Sequence, residues 1–190
     1  MNAIASSLVL DQVDSGRLDI ALQGETYLIT KPVVKEYAAS RYLVKSSGTP
    51  IDLGEEMFPF MELNDLREFL ENTGQDRADD SPQEIYLYEW VERAQGPMIF
   101  KTGVLIESLD ETTLEDSSFV IAELPPLKVS SLLYVGPFPW QDDSGWENID
   151  WEERAANAGL RYDEKLYREL YHRYDWENNR HVTEIEITIE

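Results

Sequence analysis

The feature that most constrains this chain is an order of elements that occurs twice: strand, helix, strand, strand. The first pass starts at Thr26, where "TYLITKPVVKEYAASRYLVKSSG" is rich in β-branched and aromatic residues and ends in turn chemistry at Ser46 to Pro50. "MFPFMELNDLREFLENTG" then spaces Leu63, Leu66 and Leu70 at helical intervals, with Pro59 near the start and Gly74 just past the end. Two strands follow, "QEIYLYEWVE" and "MIFKTGVLIES". In the second pass "SFVIAELPPLKVSSLLYVGPF" reads as strand. "SGWENIDWEERAANAG" opens with Ser144 three residues before Glu147, at capping-box spacing, and closes at Gly159. "LYRELYHRYD" and "HVTEIEITIE" are the closing strands.

Short matches fall in corresponding places: "KPVVKEYA" at 31–38 with "LPPLKVSS" at 124–131, and "ENTG" with "ANAG" at the helix ends. The expected fold is α+β, a tandem duplication of βαββ modules, about 26–110 and 117–190. Each module alone exposes a hydrophobic sheet face, so the two should pack about a pseudo-two-fold axis with a central ligand cleft. Residues 1–25 show no sustained period and are expected to be an extension of uncertain order.

Alternation along a strand puts Tyr86, Tyr88 and Trp90 on one face, and Tyr167, Glu169 and Tyr171 on another. If these faces meet across the axis, they form an aromatic box around one carboxylate. A carboxylate against aromatic surface is costly to desolvate unless a cation or hydrogen-bond donor meets it. The plainer alternatives are an internal salt bridge to a nearby arginine, or a solvated edge strand. Tyr134, Phe138 and Trp140, beside the Gly-Pro-Phe turn, are candidates either for cleft lining or for ordinary packing.

The net charge of −22, from 38 acids against 16 bases, disfavours nucleic-acid and membrane-surface partners. An acidic surface could steer cationic ligands or mimic nucleic acid to a protein partner, or be merely solvated. Without cysteine there is no disulfide, thiol nucleophile or thiolate metal site. A signal peptide and a spanning apolar run are also lacking, and a soluble, cytoplasmic protein is expected. "DDSGWENIDWEE" fails as a calcium loop, because Trp140 and Trp151 fall where carboxylates are required. His172 and His181 read as surface or strand residues rather than ligands. No dinucleotide, phosphate-loop or nucleophile-elbow motif occurs, so neither metal nor cofactor is expected.

Three segments, "LPPLKVSSLLYVGPF", "YRELYH" and "TEIEITI", resemble in order the Gly-Pro-aromatic strand, the glutamate-bearing strand and the closing strand of the GyrI-like domain, the bacterial transcription-activator effector-binding domain family. The resemblance implies two βαββ modules around a small-molecule cleft, with Glu169 as the residue that pairs with lipophilic cations; the aromatic candidates for the ligand site, from alternation and position, are Tyr86, Tyr88, Trp90, Tyr167, Tyr171, Tyr134, Phe138 and Trp140. The 25 residues before the first strand leave no room for a DNA-binding helix-turn-helix, so a stand-alone member is expected. Such a member could bind hydrophobic or cationic compounds, or hydrolyse reactive cyclopropane-type compounds with Glu169 as general base and a tyrosine such as Tyr171 or Tyr88 assisting. It could also act on a protein partner in the manner of the gyrase-inhibiting members.

Overall fold

The computed structural model describes residues 5–92, 96–115, 117–139, 141, 144–149 and 159–190, excepting the side chains of 147 and 162–164. Ten strands form one sheet: β1 (Ile20–Gln23), β2 (Leu28–Thr30), β3 (Val33–Tyr37), β4 (Ser40–Ser46), β5 (Glu84–Trp90), β6 (Met98–Ile106), β7 (Val120–Leu124), β8 (Leu127–Gly136), β9 (Tyr162–Arg173) and β10 (His181–Ile189). The order is β1-β2-β8-β10-β9-β5-β6-β4-β7, with β3 also paired to β8 and every pairing antiparallel. Outward from the β5–β9 seam lie β6 then β4 on one side, and β10 then β8 on the other. The expected α+β duplication is therefore present as one continuous sheet.

The registers locate its two-fold. Tyr86 pairs with Thr102 and Glu169 with Ile185, and 83 residues separate the members of both equivalent pairs, Tyr86/Glu169 and Thr102/Ile185. Tyr86 and Glu169 are themselves partners across the seam, so the local axis passes between them. The match between 31–38 and 124–131 does not mark the repeat. Val33 to Tyr37 pair antiparallel with Ser131 to Leu127, as partners rather than equivalents.

The stretch from Thr26 to Ser46 is three strands, split at Pro32, which has no N–H for a ladder. Only Ala38 and Ala39 join β3, on β8, to β4, which lies between β6 and β7. A link of that length spans about 10 Å at most. The two ends of the sheet must converge, and the sheet curls around one face. Tyr37, Tyr42, Val44, Ile85, Leu87 and Leu170 fill that inner face. Helix α1 (Ser6–Asp14) lies against it further along, with Val9 packed on Leu133, Val135 and Val182. The N-terminal extension thus contains a helix, on the side of the sheet away from Glu169, and the edge strand β1.

The curl explains why charges on β9 and β10 are buried. Arg168 pairs with Glu186, which also accepts from Tyr37 Oη at 2.6 Å. Glu184 accepts from Ser131 Oγ and the Lys35 ammonium, and His172 links it at 3.2 Å to Ser6 of α1, whose Oγ is 2.7 Å from Nδ1. His172 and His181 do lie on strands, but they are buried rather than at the surface.

Helices cover the other face. The helix expected from Met57 to Gly74 is broken into α2 (Phe58–Met61) and α3 (Asn64–Thr73), separated at Glu62 and Leu63, and Gly74 closes α3 at φ 65°. Thr102 Oγ1 donates to the Phe60 carbonyl, fixing α2 on β6, while Leu66 and Leu70 pack on Leu43 and Val104. Most of the second expected helix lies outside the described residues. Its described start is a 3₁₀ turn, Trp146–Asn148, from which Trp146 and Ile149 pack against Tyr134 and Ile185. Among the described residues no helix is long and apolar enough to cross a membrane.

Candidate functional site

The helix-covered face at the β5–β9 seam gathers most of the residues singled out by alternation. Tyr86 and Tyr88 on β5 are Cα partners of Glu169 and Tyr167 on β9. The two aromatic strands therefore lie side by side in one sheet, instead of facing each other across the axis as the sequence suggested. The box has a floor of paired strands, because antiparallel pairing puts opposed residues on the same face.

Glu169 is 3% exposed. Its Oε1 accepts from Tyr88 Oη at 3.0 Å and Tyr167 Oη at 3.1 Å, and its Oε2 accepts from Tyr171 Oη at 2.6 Å. Burial pushes this carboxyl up to about 7, against the three hydroxyls, which favour the charged form. The same burial, with the carboxylate nearby, raises all three tyrosines, so they remain protonated donors. Among the described residues no lysine, arginine or histidine forms an ion pair with Glu169. Arg168 points to the opposite face and Glu186, and β9 is a central strand. Neither the internal salt bridge nor the solvated edge applies.

A second carboxylate shares this face. Glu84, the Cα partner of Tyr171, is 5% exposed and accepts from Tyr174 Oη at 2.7 Å. Burial raises its pKa, opposed by the Tyr174 hydroxyl and by Arg67, 3.8 Å away and largely exposed.

The aromatic surround is dense. Tyr86 contacts Tyr171, and Tyr88 contacts Tyr167, each with ring centroids at 4.9 Å. Trp90 stacks on Tyr88 at 6.2 Å, and Phe138 sits 5.7 Å from Tyr171. Tyr171, Tyr174 and Trp176 form a stack, with centroid steps of 5.3 and 5.7 Å and interplanar angles of 13° and 4°. The stack runs from the buried carboxylate to the surface, where Trp176 is 63% exposed. Two polar atoms on β10 are buried there without a hydrogen-bond partner among the described residues, Thr183 Oγ1 and His181 Nε2. His181 Nδ1 accepts from the Asp175 N–H at 3.2 Å, which leaves the proton of the neutral ring on Nε2, and burial lowers its pKa.

Tyr134 belongs to a neighbouring cluster with Ile185, against which Tyr167 also packs. Its one hydroxyl proton is shared between the carbonyls of Pro137, at 2.8 Å, and Ser144, at 2.6 Å, bracing the Gly-Pro-Phe turn. Trp140 lies outside the described residues.

A cavity of about 880 Å³ opens on the other side of the sheet, beside α1. Its cations Arg17, Lys31 and Lys35 are paired with Asp11, Asp19 and Glu184. Charge there is already matched, in contrast to Glu169.

Solved structures share this architecture. SAV2435 bound to tetraphenylphosphonium aligns with a TM-score of 0.62 and 13% identity over 85% of this chain and 94% of that one. The EcmrR C-terminal domain aligns with a TM-score of 0.62 and 13% identity over 84% and 97%. The fold is that of the GyrI-like effector-binding domains. A hydrolase encoded by lin2189 from Listeria innocua also aligns, with a TM-score of 0.52 and 15% identity over 84% and 92%. No family's sequence profile matches the chain, and no curated protein matches it in sequence.

Within this GyrI-like frame, several residues escaped the reading of the sequence. Glu84 continues the alternation of Tyr86, Tyr88 and Trp90 by one step, and that signal was available. Phe100 on β6, 5.1 Å from Tyr88, joins the group only because β6 neighbours β5. Tyr174 and Trp176 follow the end of β9, where alternation carries no information.

Proposed function

We propose that this protein is a small-molecule-binding domain whose ligands are hydrophobic and often cationic. The observation that carries the reading is a buried carboxylate that accepts three tyrosine hydroxyls and, among the described residues, has no cationic side chain paired with it. Glu169 is the proposed anchor, with Tyr86, Tyr88, Trp90, Tyr167, Tyr171 and Phe138 as aromatic surround. An arriving cation would favour the ionised carboxylate that burial disfavours, and ring faces would add their own attraction for positive charge. The ligand of SAV2435 supports the choice of probe. In a tryptophan-fluorescence titration with tetraphenylphosphonium, saturable quenching is expected, with Glu169→Gln weaker by tenfold or more, about 1.4 kcal/mol. Absence of saturable binding by lipophilic cations and neutral heterocycles would sink the reading.

A second reading, hydrolysis, is favoured by one observation. A carboxyl near pKa 7, 2.6 Å from Tyr171 Oη, is in the range suited to a general base at neutral pH. Glu169 would then activate water while Tyr171 orients or protonates the substrate. Turnover of a cyclopropane-type electrophile by wild type, abolished in Glu169→Gln, is the outcome that supports it. Turnover surviving that substitution removes Glu169 from the role.

A further inference from the structure

We infer that the preferred ligand carries two positive centres on a flat aromatic frame, one met by Glu169 and the other by Glu84. The inference rests on the reading of Glu169 as a cation anchor and adds the geometry of the ligand. Glu84 lies opposite Tyr171, and Glu169 lies opposite Tyr86, so the two carboxylates are diagonal neighbours on one face of the β5–β9 seam. Such diagonal positions are about 7–8 Å apart, close to the spacing of charges at the two ends of a two-ring cation.

The rings between and beside the carboxylates tie them together. Tyr171 donates to Glu169 and Tyr174 donates to Glu84, and these two rings stack within 13° of parallel. A flat frame lying beside these rings meets aromatic surface while its ends reach the carboxylates. Thr183 adds an independent sign that this row holds a guest. It is, like Glu84, a Cα partner of Tyr171, it is fully buried, and its Oγ1 has no hydrogen-bond partner among the described residues. A buried hydroxyl left unmatched is costly unless another group completes it.

Arg67 does not fill the second position. Its guanidinium stands 3.8 Å from Glu84 on a side chain that is 59% exposed, where solvent screens the pair. It is a partial competitor that an incoming dication must displace from Glu84.

The test compares methyl viologen, a flat dication, with N-methyl-4-phenylpyridinium, a monocation of similar size, by fluorescence titration at about 0.15 M salt, where long-range attraction to the acidic surface is largely screened. Wild type should bind the dication tenfold or more tighter. Glu84→Gln should bring that ratio to within about threefold while leaving the monocation within threefold of wild type. Arg67→Gln, at an exposed helical position that does not endanger folding, should raise the ratio, and Glu107→Gln, an exposed acid away from the site, should leave it unchanged. A ratio near one in wild type, equal weakening of both probes by Glu84→Gln, or an Arg67→Gln ratio no higher than wild type overturns the inference. Should the monocation bind in a Glu169-dependent way with the dication no tighter, the inference alone fails. If neither probe binds, the cation reading fails with it.

Discussion

Glu169 ties chemistry to stability through one proton. Its carboxyl is raised from 4.5 to about 7, so between those values the folded state holds a proton that the unfolded state has lost. This contribution to stability is fully present below about pH 4.5 and is lost as pH rises through about 7. Its full size is on the order of 3 kcal/mol. Urea unfolding of wild type and Glu169→Gln between pH 5 and 8 should therefore show wild type losing ground to the variant as pH rises; parallel curves would contradict the raised pKa. Burial raises the carboxyl of Glu186 as well, but here a cation opposes the shift, because its partner Arg168 is buried with it on the inner face. Burial, the largest single influence, opposes the arginine's charge, but Glu186, Tyr42 and Tyr37 together outweigh it and the pKa of Arg168 is raised. Glu186→Gln leaves that charge poorly matched and should cost about 3–5 kcal/mol in urea unfolding. A loss below about 1 kcal/mol would show that the inner face readily hydrates.

At the scale of elements, legibility followed how completely one side of an element is apolar. Leu63, Leu66 and Leu70 announce α3 because all three meet the sheet. Only Ser6 and Val9 of the nine residues of α1 are buried, and polar contacts such as Asp14 with Arg173 help to hold it, so no period appears. The break between β3 and β4 was hidden for another reason: β3 pairs with residues nearly a hundred positions away, and nothing local records that. Gly103 shows how closely the strands approach. A Cβ built there would stand 1.9 Å from the Leu43 carbonyl oxygen, a backbone atom that cannot move aside cheaply. Gly103→Ala should lower stability by about 1–3 kcal/mol, read as a lower thermal midpoint. An unchanged midpoint would mean that the β4–β6 pairing is looser than its register implies.

At the scale of the whole molecule, duplication is what builds the site. Because β5 and β9 are equivalent strands meeting at the local axis, the aromatic rows of the two halves become adjacent, and Glu169 lands opposite Tyr86 on the axis itself. Alternation gave the composition of each row, but the sequence could not say that the rows would be neighbours rather than opposed, since either packing buries both. The curl forced by Ala38 and Ala39 is equally global, and it buries Glu184 and Glu186 on the inner face.

The most direct test of Glu169 as a cation anchor is calorimetric titration with tetraphenylphosphonium at pH 6.5, in two buffers of different ionisation heat. The probe carries no titratable proton, so any proton released comes from the protein. Wild type should release a substantial fraction of one proton on binding, because the cation forces a carboxyl with a pKa near 7 into its charged form, and Glu169→Gln should release none. Saturable wild-type binding with the same heat in both buffers would place the cation away from Glu169.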